Sequence, residues 1–173
     1  ATIGGSNAAS NKLQLNVSDA IYTNQSYSDF GKTMPTADVF TVNGNLLNND
    51  GNGAIAYCFT NTEGYIKSGV YEGNAAADGA FVYTGFRPAF LIIKRVESAE
   101  SWMGMDDKRD PANVVEGVMQ LNGSNGESTT DYDALDMLSN GFKLRIANNG
   151  FNHAEAHVYI AFASNPFKYA SAR

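Results

Sequence analysis

Short apolar runs that alternate with polar residues, each closed by Gly and Asn after a strand's length, constrain this 173-residue chain more than any other feature. Period-two alternation puts every second side chain on one face of an extended segment, whereas a helix needs apolar residues three and four apart. KLQLNV at 12–17, VFTV at 39–42, AIAYCF at 54–59, YIKSGVY at 65–71 and AFVYT at 80–84 alternate in this way. AFLIIKRV at 89–96, SWMGM at 101–105, GVMQL at 117–121, DALDML at 133–138, FKLRI at 142–146 and VYIAFAS at 158–164 continue the series. Between them lie GNLLNNDGNG, EGNAAADG, TGFRP, LNGSNGES, LSNG and NNGFNHAE, whose Gly and Asn supply positive φ at turns. The spacing predicts an all-β chain folded as a single-domain antiparallel β-sandwich of jelly-roll-like form.

Several local expectations follow from the same pattern. DYDALDML at 131–138 has Asp131 as a potential helix N-cap, but Leu135 and Met137 alternate, and Ser139-Asn140-Gly141 turns the chain into Phe142, Leu144 and Ile146. A hairpin is the better reading. The unbroken run Ala89 to Ile93 suits a central strand, with Pro88 at its first residue and Lys94 and Arg95 ending it at water. IAYCF after VFTV, and YIAFA after FKLRI, each follow an Asn/Gly loop, which suggests a duplicated hairpin. The single cysteine, Cys58, lies between Tyr57 and Phe59 and reads as a buried core residue without a partner for a disulfide.

Composition narrows the partners. A formal net charge of −6 sets the surface against phosphate backbones and anionic lipid, so neither nucleic acid nor membrane is an expected partner. No apolar run approaches the roughly 20 residues that a spanning helix requires. Only 17% of residues are charged while 12% are aromatic, a balance that favours pleated surfaces over solvated helices.

Gly69 to Arg95 reads GVYEGNAAADGAFVYTGFRPAFLIIKR, followed by DDKRDPAN at 106–113, LSNGFKLR at 138–145 and YIAFASNPFKY at 159–169. This order of blocks resembles a C-terminal domain of unassigned function in tail-fibre and other virion proteins of tailed phages, often marine and cyanobacterial ones. The resemblance covers roughly residues 38–173, leaving 1–37 as an N-terminal strand and loop segment expected to join the same sandwich. It implies a virion location, a β-rich module and a threefold assembly, and it brings no catalytic set. Ala75 to Ala77 stands where relatives more often carry another Gly, which makes this turn stiffer.

Few groupings carry chemistry. Asn48, Asp50, Asn52 and Gly53 open like a calcium loop, yet the twelfth position is Phe59 instead of a bidentate Glu, and a plain hairpin loop is favoured. His153, Glu155 and His157 would share one face of a strand and could hold zinc, although a polar strand entry is the simpler reading. No metal and no cofactor are therefore expected. Asp106, Asp107 and Asp110 around Lys108 and Arg109 resemble a glycosidase carboxylate pair only in composition, since neighbouring cations keep such acids ionised. Aromatic rings near turns, Trp102, Tyr65, Tyr83 and Tyr132, are the candidates for stacking on a ligand.

The expected function is non-enzymatic: a tail-fibre or fibre-tip module contributing to recognition of a host-surface glycan or protein and to fibre assembly. Its partners would be further copies of itself, as a homotrimer, together with other virion proteins. A head or tail decoration protein without receptor binding is the first alternative, and a glycan-cleaving tail enzyme using Asp106 or Asp110 the second.

Overall fold

A computed structural model of the chain describes residues 11–23, 33–42, 55–128, 133–147 and 150–164. The chain divides into two compact units. One combines Gln14–Ala20 with the chain from Thr60 onward and contains every strand among the described residues; the other comprises Thr2–Leu13 and Ile21–Phe59.

The strands are β1 (Ile66–Glu72), β2 (Phe81–Tyr83), β3 (Pro88–Arg95), β4 (Met103–Asp106), β5 (Met119–Gln120), β6 (Leu135–Leu138), β7 (Gly141–Leu144) and β8 (Ala156–Ala163). They form a five-stranded sheet in the order β1-β8-β3-β4-β5 and a three-stranded sheet in the order β2-β7-β6, with every pairing antiparallel. The last strand, β8, inserts between β1 and β3, and β7 lies between β2 and β6. Alternation explains which faces meet. Leu91 and Ile93 of β3, Met103 and Met105 of β4 and Tyr159 and Ala161 of β8 pack against Val82 of β2, Leu135 and Met137 of β6 and Phe142 and Leu144 of β7 in one buried core. At its centre the Phe142 ring meets Tyr71 and Tyr159 edge-on, with centroids 5.9 and 5.5 Å apart. The architecture is an all-β antiparallel sandwich.

The hairpin expected around Ser139-Asn140 is present, since Leu138 pairs with Gly141 across two turn residues and no helix forms at 133–138. Other expectations are corrected. β7 and β8 belong to different sheets, so the second copy of the presumed repeat is not a hairpin. In the first copy neither Val39–Val42 nor Ile55–Phe59 forms a strand, and the loop between them lies outside the described residues. Residues 12–17 likewise form no strand, only a single bridge from Lys12 to Tyr22. Cys58 is exposed instead of buried, because its segment is not part of either sheet.

Lys94 and Arg95 do not reach water either. Lys94 is fully buried, its Nζ donating to the Arg95 carbonyl at 2.5 Å, and desolvation lowers its pKa while the charges of Glu100 and Asp19 oppose that shift. The segment bearing Asp19 lies against the sandwich, held by Glu100 N–H to the Ser18 carbonyl at 2.8 Å.

Candidate surface-recognition site

Sheet edges decide where this sandwich can meet another molecule, because an uncovered edge presents unpaired backbone groups. Asn61 closes the outer edge of β1: its Oδ1 accepts from Ser68 N–H at 2.6 Å and its Nδ2 donates to the Ser68 carbonyl at 3.2 Å. Asn113 does the same on β6, accepting from Met137 N–H and donating to its carbonyl, while Val115 bridges Leu135. β2 has β7 on one side and, among the described residues, no strand on the other. Leu144 N–H donates to the Ala80 carbonyl and Thr84 N–H to the Asn140 carbonyl, so the even-numbered residues face β7. The backbone groups of Phe81 and Tyr83 therefore point away from the sheet.

Both side chains stand on the outer face, Phe81 at 46% and Tyr83 at 64% exposure, with Val82 between them turned into the core. Rings two residues apart on a strand are separated by about 7 Å. Glycines give them a floor. A Cβ on Gly141, opposite Tyr83, would collide with the Val82 carbonyl and press on the Phe81 ring at 3.1 Å. Gly85, at φ +87°, lets the chain turn away just under the Tyr83 hydroxyl end.

Charged pairs flank the rings. Lys143, opposite Phe81, bonds Asp78 at 2.7 Å and the Gly79 carbonyl at 2.9 Å, and this hydrogen bond and charge hold the Asp78 carboxyl below its usual pKa. Arg145 Nε donates to Asp136 at 2.6 Å. The face thus combines two exposed rings, backbone donors and acceptors with no strand partner among the described residues, and polar groups of both signs.

Asp106 and Asp110, two of the acids suggested by the sequence, are engaged elsewhere, while the buried Oδ1 of Asp107 accepts no hydrogen bond among the described residues and lies 3.5 Å from Lys108 Nζ. Asp106 accepts from Lys108 N–H and Arg109 N–H at 2.9 and 2.8 Å and pairs with Arg109 Nε at 2.5 Å, while Arg109 also reaches Glu127 at 2.7 Å. Desolvation raises the Asp106 pKa, but these hydrogen bonds outweigh it and leave the carboxyl below its usual range. Asp110 accepts from Glu116 N–H at 2.6 Å and so ties a turn. The trio at 153–157 separates. Glu155 forms a two-pronged pair with Arg95 at 2.8 and 2.6 Å, with Ser98 and His153 alongside, and the Arg95 bonds lower its pKa to about 2. His157 is buried in β8, stacked on Tyr71 at 5.0 Å, its Nδ1 2.8 Å from the Glu155 carbonyl. Among the described residues no group of three or more His, Cys, Asp or Glu could hold a metal ion.

Of the aromatic candidates, only Tyr83 lies on the β2 face. Trp102 is half-buried beside β4, its Nε1 donating to the Gln14 carbonyl at 2.9 Å, and it lines a shallow basin of about 310 Å³ with Val70, Ile92, Val158 and Ile160. Tyr65 is exposed at the turn before β1. Tyr132 and the loop residues Asn48, Asp50 and Asn52 lie outside the described residues. Phe81 was missed by looking for rings near turns, although FVY, with its apolar middle residue turned inward, carries the signal of two outward rings.

A family model described as a domain of unknown function, DUF7483, matches residues 2–166. The chain belongs to the DUF7483 family. No curated protein and no solved structure matches it. The β2 face, the Asp106–Arg109–Glu127 staple and the Arg95–Glu155 pair all fall within the span of the DUF7483 match.

Proposed function

We propose that this chain is a non-enzymatic recognition module on the surface of a phage particle, in a tail fibre or at its tip, which binds a host-surface glycan through the outer face of β2. The observation that carries the reading is the pair of exposed rings, Phe81 and Tyr83, on an edge strand that has no strand on its outer side among the described residues. Sugar rings offer apolar C–H faces that stack on aromatic rings and hydroxyls that exchange hydrogen bonds with charged side chains and backbone groups, which are the components found here. A three-residue strand is too short for an extended peptide to gain much from strand addition, which favours the glycan over a protein receptor. The particle location rests on the order of sequence blocks from Gly69 onward and on no geometric feature.

Asp106 and Glu155 are held as anions by Arg109 and Arg95, and a general acid must carry a proton at working pH. This supports binding over cleavage. The test is binding of the whole chain to host-surface polysaccharide or a glycan array. Phe81→Ala with Tyr83→Ala is expected to lower affinity at least about tenfold at unchanged melting temperature, consistent with about 1 kcal/mol per lost stacking contact. Unchanged binding in that variant, or binding abolished only by Trp102→Ala, would overturn the assignment to β2, and release of reducing sugar that Asp106→Asn abolishes would overturn the non-enzymatic reading.

A further inference from the structure

The outer face of β2 continues across β7 and β6. Leu135 and Met137 turn into the core, so alternation sets Asp136 and Leu138 on the same outer face as Lys143 of β7 and Phe81 and Tyr83 of β2. The register arranges these residues in two rows: Phe81 beside Lys143 beside Asp136, and Tyr83 beside Gly141 beside Leu138. The second row carries no charge, and the Phe81 ring leans over its middle, since a Cβ on Gly141 would lie 3.1 Å from that ring. Both cations on the β7 side have a carboxylate of their own, Lys143 in Asp78 at 2.7 Å and Arg145 in Asp136 at 2.6 Å. Arg87 donates to the Met137 carbonyl on β6, the strand of this sheet farthest from β2.

Resting on the assignment of glycan binding to β2, we infer that the ligand is a neutral glycan, built of sugars without carboxylate, sulfate or phosphate groups. An anionic sugar laid on the rings must shed water from its charge, and only a cation whose own charge is not already matched offsets that cost. Neither Lys143 nor Arg145 offers one. The Asp78 side chain, 88% exposed, also sets a carboxylate next to Lys143, where it repels a second anion. The net charge of −6 acts in the same direction at longer range. Hydroxyls suit the same groups. Each can donate to the Asp78 carboxylate or accept from the half-exposed Arg145 guanidinium, which uses its Nε for Asp136. The hydrogen bond and charge of Lys143, with Arg145 adding its charge, hold the Asp78 carboxyl below its usual range, so it stays an ionised acceptor in mildly acidic water.

A glycan array carrying neutral and acidic members, read with the full chain, tests this. The wild type is expected to bind neutral members with an affinity that changes less than about twofold between about 50 and about 500 mM salt, because no ion pair forms with the ligand. Asp78→Asn takes the counter-ion from Lys143 and should raise affinity for acidic members at least about fivefold at low salt, a gain that high salt removes, with the melting temperature unchanged. Wild-type binding to acidic members that falls with salt and disappears in Phe81→Ala with Tyr83→Ala would overturn the neutral-glycan inference and leave β2 as a glycan site. An Asp78→Asn variant that gains nothing for acidic members would also overturn it. Neutral binding that survives loss of both rings, or no binding to any member, would overturn the β2 assignment itself, and the inference with it.

Discussion

Glu155 shows how a single residue can be diverted from the chemistry its neighbourhood suggests. HAEAH reads as a ligand trio only if the segment is a strand, but residues 152–155 bend and β8 begins at Ala156, so His153 and Glu155 turn to Arg95 while His157 enters the core. The Arg95 bonds depress the Glu155 pKa to about 2 from 4.5. A carboxyl with a depressed folded pKa stabilises the fold above its unfolded pKa, and that contribution disappears as pH falls from about 4.5 towards 2. Partial hydration of the pair limits it to about 1–2 kcal/mol. Urea unfolding at pH 7 and pH 2.5 should therefore show a larger acid loss in the wild type than in Glu155→Gln, by about that amount. Equal losses would mean that the pair contributes nothing to stability.

At the scale of elements, Gly141 holds β2 against β7 because no side chain fits between its Cα and the Val82 carbonyl. Gly141→Ala should part the two strands, destabilise the sandwich by about 3 kcal/mol and weaken the glycan binding proposed for Phe81 and Tyr83, as read by thermal melting and glycan binding together. The eight strands were legible from alternation, and so was the β6–β7 hairpin, because its two-residue turn carries its own signal in Ser139-Asn140. KLQLNV, VFTV and IAYCF alternate just as well and form no strand in the described structure. Periodicity states which faces a strand would have, and says nothing of whether a neighbouring edge is free to pair with it. Lys94 was misplaced for a related reason: a charge at the end of an apolar run is normally solvated, yet Lys94 is buried, and the charge of Asp19, in the distant segment tied to Glu100 through Ser18, acts on it. The open edge of β2 was equally hidden, since it depends on which other edges Asn61 and Asn113 happen to close.

For the whole molecule, the sandwich is discontinuous in sequence, since Gln14–Ala20 belongs to it although residues 21–59 do not. A fragment spanning residues 60–173 loses the acceptor of the Trp102 indole and the Ser18 carbonyl that receives Glu100, and it removes the charge of Asp19 that acts on Lys94. Its melting temperature should fall at least about 5 °C below that of the sandwich in the full chain, given 2–4 °C per kcal/mol for a domain of this size, and scanning calorimetry on both would decide it.

The placement of β8 between β1 and β3 has a temporal consequence. During synthesis β1 and β3 leave the ribosome with a gap that only residues 156–163 can fill, so the larger sheet stays unzipped until nearly all of the described chain has been translated. Prematurely terminated products would keep that gap and remain open to proteases.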